Sequence, residues 1–558
     1  MPRMTGAQVM ADMLDGYGVT HLFMVPAVLR QTMVELEYRT SISRLHVHSE
    51  KSAAYMADGY ARATGRPGIC MAQVVGALNL AAGLRDAHLA RSPVIAMTGG
   101  REPHTVFRGA YQEVDDLPAF EPVTKLNATV DAVERFPDMV RQAFRVATSG
   151  SPGPVHLQFR GNEGQVEAEE ADMQAACEPQ FAGVPPFRPT PDPESVTAAT
   201  RRLEQAVRPA IVAGGGVRTS GASADLVALA ERLNVPVATS LNGKDVIPGN
   251  HPLSVGVVGT YSRESANRVV GEADLVLLVG TSAGGMTTHF WQVPAPGTAV
   301  VQIDIDPAAL GRNYPLQAAI QGDARVALQA MLAATEGQSA ASRAVWLDRS
   351  AALVAEWRQK YAPLLESNAL PIRPERICRE LTEHLPDDAV VVADTGHGGM
   401  WMGGMYDLRT PRQSYMRSAG HLGWAFPAAL GAKCGLPDRP VFCFTGDAGL
   451  WYHIAEIETA ARWGINAVVL VNNNSSGNQS KRGFDRAYGG EQTAAGRRLW
   501  QFTDINFADI AASMGAVGIR VEKPAALPGA LAQAFAADRP VILDVVTDID
   551  AMAPLAVA

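Results

Sequence analysis

Apolar runs a few residues long, several of them ending in Gly, Asp or Asn and most followed by a helical pattern, recur from one end of this chain to the other. Runs such as GICMAQV, ADLVLLVG and NAVVLVNNN are apolar on both faces of a strand, so each reads as a strand covered from above and below. Parallel strands need a crossover long enough for a helix, and the alternation supplies one each time. The expected fold is α/β, built of doubly wound parallel sheets. A chain of 558 residues exceeds what one core serves, and domain sizes favour three or four units.

The runs group into three units. Residues 1–165 hold LHVH, GICMAQV, SPVIAMTG and GPVHLQF as strand candidates, with AQVMADMLDGYG and EKSAAYMADGYARATG as helices between them. The acidic, Pro-rich EAEEADMQAACEPQFAGVPPFRPTPDPES reads as a linker, because Pro removes a backbone donor and sustains neither a helix interior nor a central strand. Residues 190–335 carry PAIVAGGG, VPVAT, ADLVLLVG and AVVQIDIDP in a loosely Rossmann-like order. Gly214, Gly215 and Gly216 lack GxGxxG register, so a tight strand-to-helix turn is expected there before a phosphate cradle. A polar, Ala-rich stretch, ATEGQSAASRAVW, and a helix ending in RQKYAPLLES lead to a third unit at residues 370–550, with AVVVADTG, PVFCFTGD, NAVVLVNNN and PVILDVV as strands.

Composition narrows the class. Hydrophobic residues at 47% and charged residues at 19%, with 52 Gly and 36 Pro, suit an enzyme of short apolar runs and tight turns. A formal charge of -9 without clustered Lys or Arg excludes a nucleic-acid footprint, which needs a basic patch. The five Cys have no CxxC spacing, so neither a disulfide framework nor a zinc site is suggested. The N-terminal MPRMTGAQVMADMLDGYGVTHLF lacks the apolar core of a signal peptide, and no run reaches the roughly 18 apolar residues of a membrane span. A cytoplasmic protein acting on a small molecule is expected, with neither nucleic acid nor membrane as partner.

One segment points to chemistry. In PVFCFTGDAGL a buried strand gives out at Gly446 and Asp447; after one helix, closed by Gly464, the strand INAVVLV ends in Asn472, Asn473 and Asn474. A right-handed crossover makes the two strands parallel, so both finish at the same sheet edge, where open α/β sheets bind ligands. A lone Asp or Asn there would cap a helix or build a turn. Here the strand ends, the spacing and the donor chemistry agree. A carboxylate, an amide oxygen and a nearby carbonyl are hard ligands too few for a calcium cage and suited to Mg²⁺ completed by water and phosphate.

This pattern resembles the thiamine-diphosphate enzymes of the acetolactate synthase and 2-oxo-acid decarboxylase type, whose signature is GDG followed by about 27 residues to the second of two Asn. The chain reads Gly446-Asp447-Ala448 and Asn473-Asn474, with Ala in the third position. The resemblance implies that Asp447, the Asn474 side chain and the Ser476 carbonyl hold Mg²⁺, with the backbone of Ala448 and Gly449 beside the diphosphate. HSEKSAAYMADGYARATGRPGIC is similar to the segment of the family's catalytic Glu, which places that role on Glu50, and FRGAYQEVDDLPAFEPVTK implies an active-site Gln at Gln112. ADTGHGGMW resembles the diphosphate loop, giving Thr395, Gly396, His397 and Gly398; Asn79 is counted with the cofactor residues. SAGHLGWAFPAALGAK implies Leu422 as the apolar wedge under the cofactor and Gly420 as a backbone partner of its aminopyrimidine. The three units then correspond to pyrimidine-binding, central Rossmann-like and diphosphate-binding domains.

The carboxylate is needed because a hydrogen bond to the pyrimidine nitrogen lets the exocyclic amine accept the proton of the thiazolium carbon. A Glu buried against that nitrogen is expected to be raised in pKa. On residues alone, Ser49-Glu50 is equally a capped helix N-terminus, and His48, His421 and His453 read as structural. Departures fall in the substrate pocket. Acetolactate synthases usually read Pro-Gly-Gly where this chain has Pro26-Ala27-Val28, and a TSGPG-like turn where it has Ala72-Gln73-Val74-Val75-Gly76. The Arg that grips their acceptor aligns with Met286, and Gln479, Lys481 and Arg482 follow the metal motif. Ala27, Val28, Gln73 and Gln479 are therefore the expected pocket residues. The Arg- and Asp-rich flavin pattern is missing, so FAD is not expected.

The reaction implied is decarboxylation of a 2-oxo acid with carboligation. Two alternatives stay open: cleavage or condensation of a hydroxyacyl thioester or polar hydroxy ketone without decarboxylation, and a non-catalytic nucleotide-binding regulatory subunit. The resemblance also implies a homodimer or homotetramer with active sites between subunits.

Overall fold

The computed structural model describes residues 1–335 and 343–555. It contains three six-stranded sheets, each parallel throughout. In the first, the strands stand in the order Ser43–His46, His21–Met24, Gly68–Ala72, Val94–Gly99, Val155–Phe159, Leu126–Val130. The second runs Ser254–Val257, Val237–Thr239, Pro209–Ala213, Leu275–Val279, Ala299–Asp304, Leu316–Gln321. The third runs Ser414–Arg417, Val390–Ala393, Val441–Gly446, Val468–Asn473, Val541–Val546, Val517–Val521.

Alternation along the central strands explains the double winding. In the first sheet Ile69, Met71, Ile95 and Met97 enter one apolar core while Cys70, Ala72, Val94 and Ala96 enter another. Period-two side chains on a strand buried on both faces require helices on both sides. The second of these cores also takes Val390, Val392, Cys443, Val469 and Val471 of the third sheet, so the first and third units share a core. The helices Glu50–Thr64 and Ala425–Gly435 cross inside it. At the crossing, a Cβ on Gly59 would lie well inside contact distance of the Ala428 carbonyl, and one on Gly431 would meet the Met56 carbonyl in the same way.

Two expectations change in detail. The stretch read as a linker carries an edge strand, Glu170–Asp172, paired antiparallel with Arg3–Thr5. Its Glu167 is buried and accepts hydrogen bonds from the Thr32 amide at 2.8 Å and the Thr32 hydroxyl at 2.6 Å. The helix read after Asp447 is broken into Asp447–Trp451 and Glu456–Trp463, ended by Gly464 at φ 63°. The second piece buries Glu456, Ile457, Thr459 and Ala460. Gly214 and Gly216 pack against the backbone of Gly280, at 2.8 Å for a Cβ on Gly216; this close approach accounts for the glycine run as a turn. The Ala-rich stretch beginning at Ala334 enters residues 336–342, which lie outside the described residues. Among the described residues, no helix is long and apolar enough to cross a membrane.

Candidate active site

Strands Val441–Gly446 and Val468–Asn473 are parallel neighbours with Gly446 opposite Asn472, so the next residues, Asp447 and then Asn473 and Asn474, emerge together at one edge. The Asp447 carboxylate joins the two strand ends: Oδ1 accepts from the Ala448 amide at 2.7 Å and Oδ2 from the Ser476 amide at 2.9 Å. The Ser476 hydroxyl donates to Asn474 Oδ1 at 2.8 Å. Asp447, Asn474 and Ser476 are all buried, at 2%, 7% and 3% exposure, although two of them carry side chains that belong in water. Burial pushes the Asp447 carboxyl up to about 7 despite the surrounding backbone amides. A buried acid short of positive charge, beside an amide oxygen and a hydroxyl, is chemistry that a hard divalent cation completes.

The three Asn are not equivalent. Asn473 is fixed structurally, donating to Ile505 O at 2.9 Å and to Asp544 at 2.8 Å while accepting from the Ser475 amide at 3.2 Å. Asn472 is buried with its side-chain oxygen unpartnered. Ser475 takes φ 54°, turning the chain back so that Ser476 reaches Asp447.

The neighbouring strand Val390–Ala393 ends in Asp394, Thr395 and the helix Gly396–Gly404. Thr395, at the cap position, makes no side-chain capping bond. The first amides of this helix are thus available to an anion. Gly396 sits at φ 68°, and a Cβ there would come within 2.9 Å of Gln479 Oε1. A Cβ on Gly398 would meet the Phe444 ring at 3.4 Å. One on Gly449 would lie 2.5 Å from Thr445 Oγ1 and 2.6 Å from Asp394 Oδ2, so Gly449 by close contact and Gly396 by its positive φ favour bare backbone, while Gly398 has room for a methyl group. His397 is buried, its Nδ1 has no partner, and burial holds its pKa down at about 4. The glycine cradle, the open helix start and the buried acid fit a diphosphate held through a divalent ion.

Asp394, to which the resemblance assigns no role, follows the same strand end. It accepts from the Thr395 amide at 2.8 Å, the Thr445 hydroxyl at 2.8 Å and the Gly423 amide at 3.1 Å, and burial pushes it up to about 7. Its position at a strand end, next to the glycine-rich turn, is the sequence signal. Through Gly423 it ties the cradle to the loop of Gly420 and Leu422. Gly420 has φ 145° and Leu422 is 36% exposed, so this branched side chain lies outside the core.

Glu50 opens the helix Glu50–Thr64. Ser49 occupies the cap position but makes no side-chain capping bond; instead Asn79 Nδ2 donates to Glu50 Oε2 at 2.7 Å and to Ser49 Oγ at 3.3 Å. A Cβ on Gly76 would lie 2.5 Å from Glu50 Oε1, so Gly76 makes room for the carboxylate. Gln73 donates to Gln112 Oε1 at 3.1 Å, and Gln112 takes φ 61°. Ala27 takes φ 104°. Val28 corrects an expectation: its side chain is 1% exposed in the core of the first unit, because the turn after Pro26 points it inward, and it does not line a pocket. Gln479 donates to Tyr261 Oη of the central unit at 3.2 Å. His48 pairs with Glu458 at 2.7 Å, His453 with Ser52 at 2.7 Å and His421 with Tyr55 at 2.8 Å; all three join the first unit to the third.

Comparison with known proteins agrees with this division. The thiamine pyrophosphate enzyme N-terminal TPP binding domain matches residues 4–119, the central domain residues 196–331 and the C-terminal TPP binding domain residues 394–545. A probable acetolactate synthase large subunit of Methanocaldococcus jannaschii is 32% identical over 98% of this chain and 92% of its own length. The acetolactate synthase large subunit of Haemophilus influenzae is 29% identical over 96% of this chain and 93% of its own, and the isozyme 1 large subunit of Escherichia coli 31% identical over 85% and 82%. The chain belongs to the thiamine-diphosphate-dependent enzymes and, within that family, is acetolactate synthase-like.

Proposed function

We propose that this chain is a Mg²⁺-dependent carboligase that releases CO₂ from a 2-oxo acid and joins the remaining carbon unit to a second carbonyl compound. The observation that carries the reading is Asp447, a buried carboxylate that bridges two strand ends, is linked through Ser476 to Asn474, and is short of positive charge. Asp447, Asn474 and the Ser476 carbonyl would hold the ion. Thr395, Gly396, His397 and Gly398, with the backbone of Ala448 and Gly449, would receive the diphosphate at the open helix start. When bound, thiamine diphosphate supplies an electron sink for making or breaking the bond at a carbonyl carbon.

The chain's own groups then divide the work. Glu50 holds a proton at the pyrimidine ring nitrogen, and Asn79 orients its carboxylate through the 2.7 Å hydrogen bond. Leu422 offers apolar surface to the body of the cofactor, and Gly420 offers backbone. The amides of Gln73 and Gln112, already bonded to each other, give the substrate polar but uncharged partners. With Met286 where an acceptor-gripping Arg aligns, the second carbonyl compound is one that needs no cationic grip. We also propose a homodimer or homotetramer that brings Glu50 of one subunit to the diphosphate site of another.

Calorimetry with thiamine diphosphate and Mg²⁺, followed by CO₂ and product analysis across a panel of 2-oxo acids, tests the reading. Mutually dependent binding and substrate-dependent CO₂ release are expected. Cofactor binding indifferent to the ion, or turnover without CO₂, would overturn it.

A further inference from the structure

The loop that carries Gly420 and Leu422 is held by residues that no motif of the sequence singles out, and they come from the first unit of the same chain. Asp86 lies on the helix Ala77–Ala90 and is 1% exposed. Its Oδ1 accepts from the Ala419 amide at 2.7 Å, and its Oδ2 from the His421 amide at 3.2 Å and the Ser418 hydroxyl at 3.1 Å. One carboxylate thus gathers both amides that flank Gly420. Arg62 pairs with it at 3.1 Å and with Asp58 at 2.6 Å, and donates to the Arg417 carbonyl at 2.8 Å. Beyond the loop, Trp424 Nε1 donates to Asp58 at 2.9 Å, and the Arg62 guanidinium lies 4.4 Å from the Trp424 ring centre. Tyr55 bonds the His421 ring at 2.8 Å.

These bonds restrain the segment from Arg417 to Trp424 at both ends and at its middle. Gly420 at φ 145° and Gly423 at φ 88° are conformations a free loop shares with many others, and fixing them costs backbone entropy. Charge-assisted bonds from a buried carboxylate are among the stronger means of fixing an amide, and here they are all directed at the stretch that ends in the exposed Leu422.

We propose that Asp86, with Arg62, is a positioning residue for the cofactor: it acts through the 418–421 loop of its own chain to set the backbone of Gly420 and the side chain of Leu422 before thiamine diphosphate arrives. This rests on the functional reading above, and it assigns the first unit a role towards its own chain's third unit, separate from that of Glu50.

The test uses the full-length protein and Asp86→Asn, which keeps the side chain's size but turns an amide NH₂ towards a backbone N–H. Thiamine diphosphate affinity in saturating Mg²⁺ is expected to fall on the order of 10- to 100-fold, with substrate KM unchanged once cofactor is saturating. Hydrogen exchange at the amides of Ala419 and His421 is expected to rise in the cofactor-free protein, and Asp86→Glu is expected to restore neither. Unchanged cofactor affinity in Asp86→Asn, or equal amide exchange in the two cofactor-free proteins, would overturn the proposal. Failure of the wild-type chain to bind cofactor would instead overturn the functional reading, and the positioning role with it.

Discussion

At Asp447, burial of a single residue bears directly on the cation proposed for the site. Its carboxyl sits at about 7 in the folded chain against 3.8 in water. Because the folded value is the higher, the unfolded chain binds fewer protons between about 4 and 7, and the cation-free protein loses stability as pH rises through that window. A metal ion must displace the proton, so Mg²⁺ affinity is expected to weaken about tenfold per pH unit below 7. Calorimetry at pH 6 and pH 8 reads this directly, and Asp447→Asn should remove both the affinity and its pH dependence. Glu50 is a different case, with one oxygen bonded to Asn79 and the other packed over Gly76. Glu50→Gln is expected to lower kcat by about 100- to 10,000-fold while calorimetric cofactor binding persists; loss of both together would make Glu50 a structural residue.

At the scale of elements, the helix pair Glu50–Thr64 and Ala425–Gly435 depends on two glycines that let backbones touch. Gly59→Ala puts a methyl group into the Ala428 carbonyl, and since neither partner is a flexible side chain the helices must separate. A loss of more than about 1–3 kcal/mol is expected, read as a shift in the urea midpoint. In the first sheet His156 is fully buried, bonded to Thr98 and Asn127 at 2.8 Å and stacked on Phe120 at 3.5 Å. Burial holds its pKa down at about 3, below the 6.5 of the unfolded chain. Stability should therefore fall as pH drops from 6.5 towards 3, by up to about 1.4 kcal/mol per unit, and His156→Gln should flatten that slope. Legibility in the sequence divides along the same lines. Central strands such as Leu275–Val279 and Val468–Asn473, buried throughout, announce themselves as unbroken apolar runs. Edge strands Leu126–Val130, Leu316–Gln321 and Val517–Val521 are only half covered, so their mixed composition passes for loop. The convergence of Asp447 and Asn474 is legible because strand ends place them, whereas Gly396 is reached only through the family resemblance. Asp86 is not legible, because the loop groups it binds lie more than 300 residues away in the chain and no local pattern encodes them.

In the whole molecule the central unit, which contributes no metal ligand to the proposed site, still reaches it from behind. The helix Gly396–Gly404, whose start is the proposed diphosphate cradle, ends against two buried basic side chains of the central unit. Lys244 Nζ donates to the Gly403 carbonyl at 2.9 Å, and Arg263 Nε to the Gly404 carbonyl at 2.6 Å. Donors at a helix C-terminus satisfy its orphan carbonyls, and the Arg263 charge complements its dipole, so the central unit steadies this helix at the end remote from the proposed diphosphate site. Arg263 also pairs with Asp407 at 2.6 Å and lies 4.4 Å from the Trp357 ring centre, at only 3% exposure. Arg263→Ala would leave Asp407 charged, largely buried and short of its nearest partner, a change that costs about 3–5 kcal/mol. Calorimetric unfolding is then expected to split, the central unit melting apart from the shared core of the first and third. Thiamine diphosphate affinity should fall as well, since the helix presenting Gly396 to Gly398 loses its rear anchor. Arg263→Lys keeps the charge but not the forked geometry, and should recover the single transition only in part. A single, unshifted transition in Arg263→Ala would mean that the central unit is held by its apolar contacts alone and exerts no pull on the site.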